Sequence, residues 1–183
     1  QYGSLLSKTY PIWSVLNAFR KFTELAKAVP FDLIHCHYPF PAFGVYLTAE
    51  SKHIKKVYTF HAPTHKEILL DYERRSPFWL LAFFQRLARS TEKRVLMQSD
   101  KIITLSDFMK REALSIHGLP EEKFVTIPGG VDTQKFRPCA DRNQLRKELG
   151  LPQDRIILFT ARRLAARYGL MNLLEAMETV VKQ

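Results

Sequence analysis

The chain has 183 residues, a length that suits one full domain or two incomplete ones. With 46% hydrophobic and 25% charged residues it is a globular rather than a disordered sequence, and its longest apolar run, Phe78 to Phe84, falls far short of the ~20 residues that span a bilayer. A net charge of +10 favours an anionic partner: a nucleotide diphosphate, an acidic membrane surface or a nucleic acid.

In chain order, Ile12, Val15, Leu16, Phe19, Phe22, Leu25, Ala26 and Val29 recur at helical spacing, which predicts a helix over 12–29 that Pro30 ends. Phe31 to His37 then reads as a buried strand, 43–52 as a short helix, and Lys56 to His61 as a second strand followed by a loop opened by Pro63. A long helix is expected over 77–98, with Pro77 in its first turn. Lys101 to Leu105 suits a strand, and Ser106 or Asp107 can cap a helix reaching His117, closed by Gly118. Phe124 to Ile127 is a further strand. After the Pro and Gly cluster of 128–132, helix 141–149 ends at Gly150, Arg155 to Thr160 reads as a strand, and 169–181 as a helix.

Strands alternating with helices imply an α/β fold, a mainly parallel sheet with helices on both faces. The boundary falls at 129–140, between two βα patterns that each look incomplete. Cys36 and Cys139 form no metal-ligand spacing, so two reduced thiols of a cytosolic protein are expected. Position 1 is not methionine, and no basic leader with an apolar core is visible, so no signal peptide is expected.

Five segments share one resemblance. Asp32-Leu33-Ile34-His35-Cys36-His37 matches a "D-hydrophobic-H-x-H" strand, Thr59-Phe60-His61 a strand ending in histidine, and Asp100 to Ser106 a strand that opens with aspartate and ends in serine. Ile127-Pro128-Gly129-Gly130-Val131-Asp132 with Phe136 and Pro138 is similar to "I-P-N-G-V-D…F-x-P". Phe159 to Leu164 with Arg167, Gly169 and Leu173 to Ala176 is similar to "G-R-L…K-G…L-L-E-A". In this order they resemble the glycosyltransferase family 4 (group 1) enzymes, whose two Rossmann-like domains form the GT-B fold. Gly129 stands where that family has asparagine, and Tyr168 where it commonly has a phosphate-binding lysine.

The resemblance implies an internal stretch of such an enzyme. Residues 1–128 would be the C-terminal part of the first Rossmann-like domain, 129–140 an interdomain linker, and 141–183 the start of the nucleotide-sugar-binding domain. It implies sugar transfer from a nucleotide-diphosphate sugar with retention of configuration, to a lipid-linked or cell-envelope acceptor, with no further cofactor. The isolated stretch is expected to be inactive. His61 would be the catalytic histidine, Arg163, Arg167, Gly129 and Gly130 would bind the donor, and Lys66 would contact the acceptor or a phosphate.

The chemistry fits. Planar guanidinium groups grip diphosphate oxygens bidentately, and a helix following them adds N–H donors and a favourable dipole. His35 and His37 point to one face of their strand, but no third ligand sits at a recognisable spacing, so no metal is expected and packing or loop contact at the strand end is the better reading. In 77–98, Phe78, Trp79, Leu80, Leu81, Phe83 and Phe84 combine with Arg86, Arg89, Lys93 and Arg94; such a helix can lie on an anionic membrane, at its cytoplasmic face. Two alternatives stand beside this reading: a non-catalytic basic module for membrane or nucleic acid, and a sugar-phosphate synthase of the same architecture. No nucleic-acid motif is present, so nucleic acid is not an expected partner.

Overall fold

The structure, a computed structural model, describes residues 5–72, 77–164 and 168–181. The chain divides into two compact units, residues 1–128 and 129–183.

The first unit opens with helix α1 (Leu5–Ala28), which runs through Pro11 rather than starting after it; the Ser14 hydroxyl donates to the Pro11 carbonyl at 2.8 Å. Strand β1 (Leu33–Cys36) leads into α2 (Pro39–Tyr46), which begins earlier than its apolar pattern suggests because Pro39 occupies its first turn. A short 3-10 turn over Glu50–His53 precedes β2 (Lys55–Phe60). The expected loop after Pro63 is instead helix α3 (Thr64–Tyr72), where the Lys66 and Glu67 N–H groups donate to the Pro63 carbonyl. Then follow α4 (Phe78–Gln98), β3 (Lys101–Thr104), α5 (Asp107–His117) and β4 (Phe124–Thr126).

The four strands pair in parallel in the order β1-β2-β3-β4. Their alternating side chains separate two faces. Ile34, Tyr58, Phe60, Ile102 and Phe124 form one buried face, packed with Ala42 and Tyr46 of α2, Val95 and Leu96 of α4 and Ala113 of α5. Burying a side chain the size of Phe60, Leu96 or Ile102 contributes about 2 kcal/mol. The opposite face carries Leu33, Val57, Ile103 and Val125, of which Leu33 and Val125 are half exposed.

Lys56 sits on the buried face. Its ammonium donates to the carbonyls of Ser51 at 2.6 Å and Ile54 at 3.0 Å and lies 5.7 Å from the centre of the Tyr46 ring, so the charge is paired with dipoles rather than stranded. Helix α1 crosses α2 so closely that a Cβ on Gly44 would stand 2.2 Å from the Val15 carbonyl oxygen.

Asp100 ties the sheet together at the start of β3, accepting from the Lys56 backbone N–H at 2.8 Å and the Lys55 ammonium at 2.9 Å. The Lys56 N–H and then Lys55 hold its carboxyl below the usual carboxylate range. A depressed folded-state pKa stabilises above the unfolded value, and that stability is lost as pH falls through the folded value. Asp100 is more than a third exposed, so solvent screening keeps the contribution to about 1 kcal/mol or less. Asp100→Asn is therefore expected to unfold at a slightly lower temperature at pH 7, and the gap to wild type should close below about pH 4, read by thermal melts across pH.

The second unit holds α6 (Arg142–Glu148) and α7 (Leu170–Val180). Asp141 caps α6 by accepting from the Gln144 N–H at 2.9 Å, and Gly150 follows with φ of 63°. The strand expected over Arg155 to Thr160 does not form: the segment is irregular, with Ile156 90% and Phe159 88% exposed. A strand exists by its ladder, and among the described residues of this unit no second strand lies beside it.

Candidate active site

Three histidines gather at the carboxyl ends of β1 and β2. The parallel register sets His35 opposite Val57, so His35 and the following His37 lie on the same face as Thr59 and the following His61. Two bridges result. His35 Nε2 lies 2.8 Å from Thr59 Oγ1, and His37 Nδ1 lies 3.1 Å from His61 Nε2. The His35 and His37 rings are 4.4 Å apart, and those of His37 and His61 are 5.4 Å apart and nearly parallel. Burial lowers the pKa of His35 below the usual histidine value, helped by the neighbouring His37 and His61, so this ring is neutral at pH 7.

A buried network lies behind the loop that leaves His61. Glu92 of α4 and His117 of α5 are both fully enclosed, with Glu92 Oε2 3.0 Å from His117 Nε2. The other carboxylate oxygen accepts from the Thr64 N–H at 3.2 Å and the Thr64 hydroxyl at 2.7 Å. A carboxylate borrowed from α4 thus caps the first turn of α3. His117 packs edge-on against Phe60 with ring centres 6.2 Å apart, and its Nδ1 is buried without a hydrogen-bond partner. That pattern fits the Nε2–H tautomer, which leaves a lone pair rather than an N–H unmatched.

Of the residues singled out in the sequence, His61 stands exposed at the strand end. Lys66 faces α5, where its ammonium pairs with Glu112 at 2.7 Å. Gly129, Gly130 and Arg163 are exposed in irregular segments of the second unit, and a Cβ on either glycine would meet nothing within 4 Å. Arg167 lies outside the described residues. A cleft of about 270 Å³ in this unit is lined by Phe159, Thr160, Arg162, Tyr168, Gly169 and the start of α7. Arg162, not singled out, reaches it and donates to the Tyr168 carbonyl at 2.9 Å.

His37, expected to serve packing or a loop contact at the strand end, makes such a contact with His61, whereas Glu92 is a member of the buried network that no motif marks. The signal for Glu92 was its spacing: it lies four residues after Ala88 and three and four before Val95 and Leu96, all buried on one face of α4. Both cysteines are free thiols, and burial pushes Cys36 up to about 11. Among the described residues no group of three or more His, Cys, Asp or Glu side chains is arranged to hold a metal ion, and no helix is long and apolar enough to cross a membrane.

The model of Glycosyltransferase Family 4 matches residues 4–135. D-inositol 3-phosphate glycosyltransferase of Mycobacterium tuberculosis (strain ATCC 25177 / H37Ra) is 29% identical over 160 residues, covering 84% of this chain and 32% of that protein. The protein of the same name from Kineococcus radiotolerans is 27% identical over 135 residues, covering 72% of this chain and 29% of the relative. The solved structure of sucrose-phosphate synthase from Thermosynechococcus elongatus superposes with a TM-score of 0.68 at 20% identity, over 88% of this chain and 38% of that one. The chain thus spans about a third of the length of the relatives it matches, and its α/β fold is part of a GT-B architecture.

Proposed function

Because the chain belongs to Glycosyltransferase Family 4, we propose that the full-length protein moves a sugar from a nucleotide-diphosphate sugar to an acceptor, with retention of anomeric configuration. The observation that carries this reading is the histidine cluster at the carboxyl ends of two neighbouring parallel strands, the edge at which open α/β sheets take their ligands. In the transfer, the bond from the anomeric carbon to the diphosphate breaks and the acceptor oxygen takes its place. An imidazole at that edge can donate a hydrogen bond to a sugar hydroxyl or phosphate oxygen, or share a proton near neutral pH. The departing diphosphate needs cations, for which Arg163 and Arg167 are the candidates, with Arg162 added by its place on the cleft and Gly129 and Gly130 on the donor side. The donor is already activated, so no further cofactor enters the reaction.

The acceptor is read as a phosphorylated polyol, supported by the inositol 3-phosphate in the names of the relatives. The start of α4 extends this reading to a membrane-bound form of the acceptor. Phe78 is 86% and Trp79 71% exposed, Phe83 lies on the same exposed side, and Arg86, Lys93 and Arg94 follow. That arrangement suits peripheral contact with an anionic lipid surface at the cytoplasmic face of a membrane, where a lipid-linked acceptor would be met.

The test is to offer the full-length protein a panel of nucleotide sugars with inositol phosphate in solution, or with vesicles carrying a phosphoinositol lipid, and to identify products by mass spectrometry. Transfer to the free compound or to the vesicles tells the two acceptor forms apart. Consumption of no donor under either condition would overturn the reading. In the active protein, Arg163→Ala should lower kcat/KM by roughly 10²-fold, the scale of losing one charge-stabilising donor, with an unchanged melting temperature. Wild-type kinetics in that variant would reduce Arg163 to surface charge.

A further inference from the structure

His61 does not stand alone at the strand end, and its neighbour constrains what it can do. Resting on the reading that His61 meets the substrate, we propose that His37 is the positioning residue of His61, holding its ring through Nε2 so that only Nδ1 is left to meet a ligand. At 3.1 Å the two nitrogens accommodate one proton between them: one ring donates and the other accepts. Protonating both facing nitrogens would set two N–H groups head to head, so the contact selects one shared-proton arrangement. The tautomer of a histidine is set by the hydrogen bond that its other nitrogen makes.

His37 is itself held in place. Its ring lies 4.4 Å from that of His35, which is bonded at 2.8 Å to the hydroxyl of the buried Thr59. Burial, helped by the neighbouring rings, lowers the pKa of His35, so this ring resists taking a positive charge beside His37. A line of contacts therefore runs from the interior of the sheet through Thr59, His35 and His37 to His61. The same-face geometry of β1 and β2 sets its spacing. Without His37, the exposed His61 ring would be free to turn and to exchange tautomers.

The experiment uses full-length protein with ring-¹⁵N-labelled histidine. In the wild type, the two His61 nitrogens should show distinct shifts of one fixed tautomer. In His37→Ala they should move toward the average of two tautomers, and kcat/KM should fall about tenfold, the lower end of the loss seen when the partner orienting a functional histidine is removed. His37→Asn, whose side-chain amide can occupy the place of Nδ1, should restore both readings to within a few fold. A merely structural role would be indifferent to the His61 spectrum. An unchanged His61 spectrum in His37→Ala overturns the proposal whatever the kinetics, and so does an equal loss in the Ala and Asn variants. If instead His61→Ala leaves turnover intact while His37→Ala still alters the His61 spectrum, the transfer reading of the site falls, and the positioning of one ring by the other stands.

Discussion

His61→Ala in the full-length protein is expected to depress kcat and kcat/KM together by roughly 10²-fold while leaving the melting temperature within a degree or two of wild type, because a contact that strengthens in the transition state lowers both parameters. The stability half of this expectation comes from the site. His61 is exposed, and the bridge it makes is to His37, itself exposed, so neither partner would be left buried and unpaired. His65, four residues on, is the control. It is half-buried at the start of α3, where burial depresses its pKa and encloses its Nδ1, so truncation removes packed ring surface while the main-chain carbonyl keeps the bond it accepts from Gln85 Nε2 at 3.3 Å. His65→Ala should therefore act on stability and leave turnover per folded molecule near normal. Steady-state kinetics and thermal unfolding of both variants decide the matter. Equal and small kinetic effects would remove His61 from the catalytic role.

Glu92→Ala should cost about 3–5 kcal/mol, the scale of leaving several enclosed hydrogen-bond donors unmatched at about 1–3 kcal/mol each. It strips the partner from three enclosed donors at once: the Thr64 N–H, the Thr64 hydroxyl and His117 Nε2. Glu92→Gln keeps an oxygen for Thr64 but turns an amide N–H toward His117, so about 1–2 kcal/mol is expected. The comparison is made by urea unfolding at pH 7. Equal losses below about 1 kcal/mol in both variants would mean that the carboxylate is hydrated in solution. A second consequence is local: with its cap removed, α3 should fray from Thr64, seen as faster hydrogen exchange at Lys66 and Glu67.

What the sequence disclosed divides by distance along the chain. Helix α5 was legible because its signals are local: Ser106 accepts from the Met109 N–H at 3.2 Å, and Gly118 adopts φ of 60° at the other end. Helix α3 carries no such local signal, because its capping carboxylate belongs to Glu92, 28 residues away. The apolar run Ile156 to Phe159 has the composition of a strand, but composition supplies no neighbour, and a lone segment cannot build a ladder. The site divides in the same way. A histidine at the end of β2 was visible as a motif, whereas its bridge to His37 depends on how two strands register, a property of the folded sheet. The ion pair of Lys66 with Glu112 is likewise a meeting of α3 with α5 that spacing alone does not announce.

Gly44 sets a limit on how this chain can drift over generations. With the Val15 carbonyl oxygen 2.2 Å from where its Cβ would be, even alanine, the smallest step away from glycine, meets main chain rather than a side chain that could swing aside. Selection cannot approach any other residue here through a tolerated intermediate unless α1 first shifts along α2. Most core positions trade volume with their neighbours, so substitutions there arrive in compensating pairs. At position 44 the atoms nearest the missing Cβ are the main chain of Val15, which has no volume to trade, and the site should stay glycine in any lineage that keeps these two helices crossed at this point.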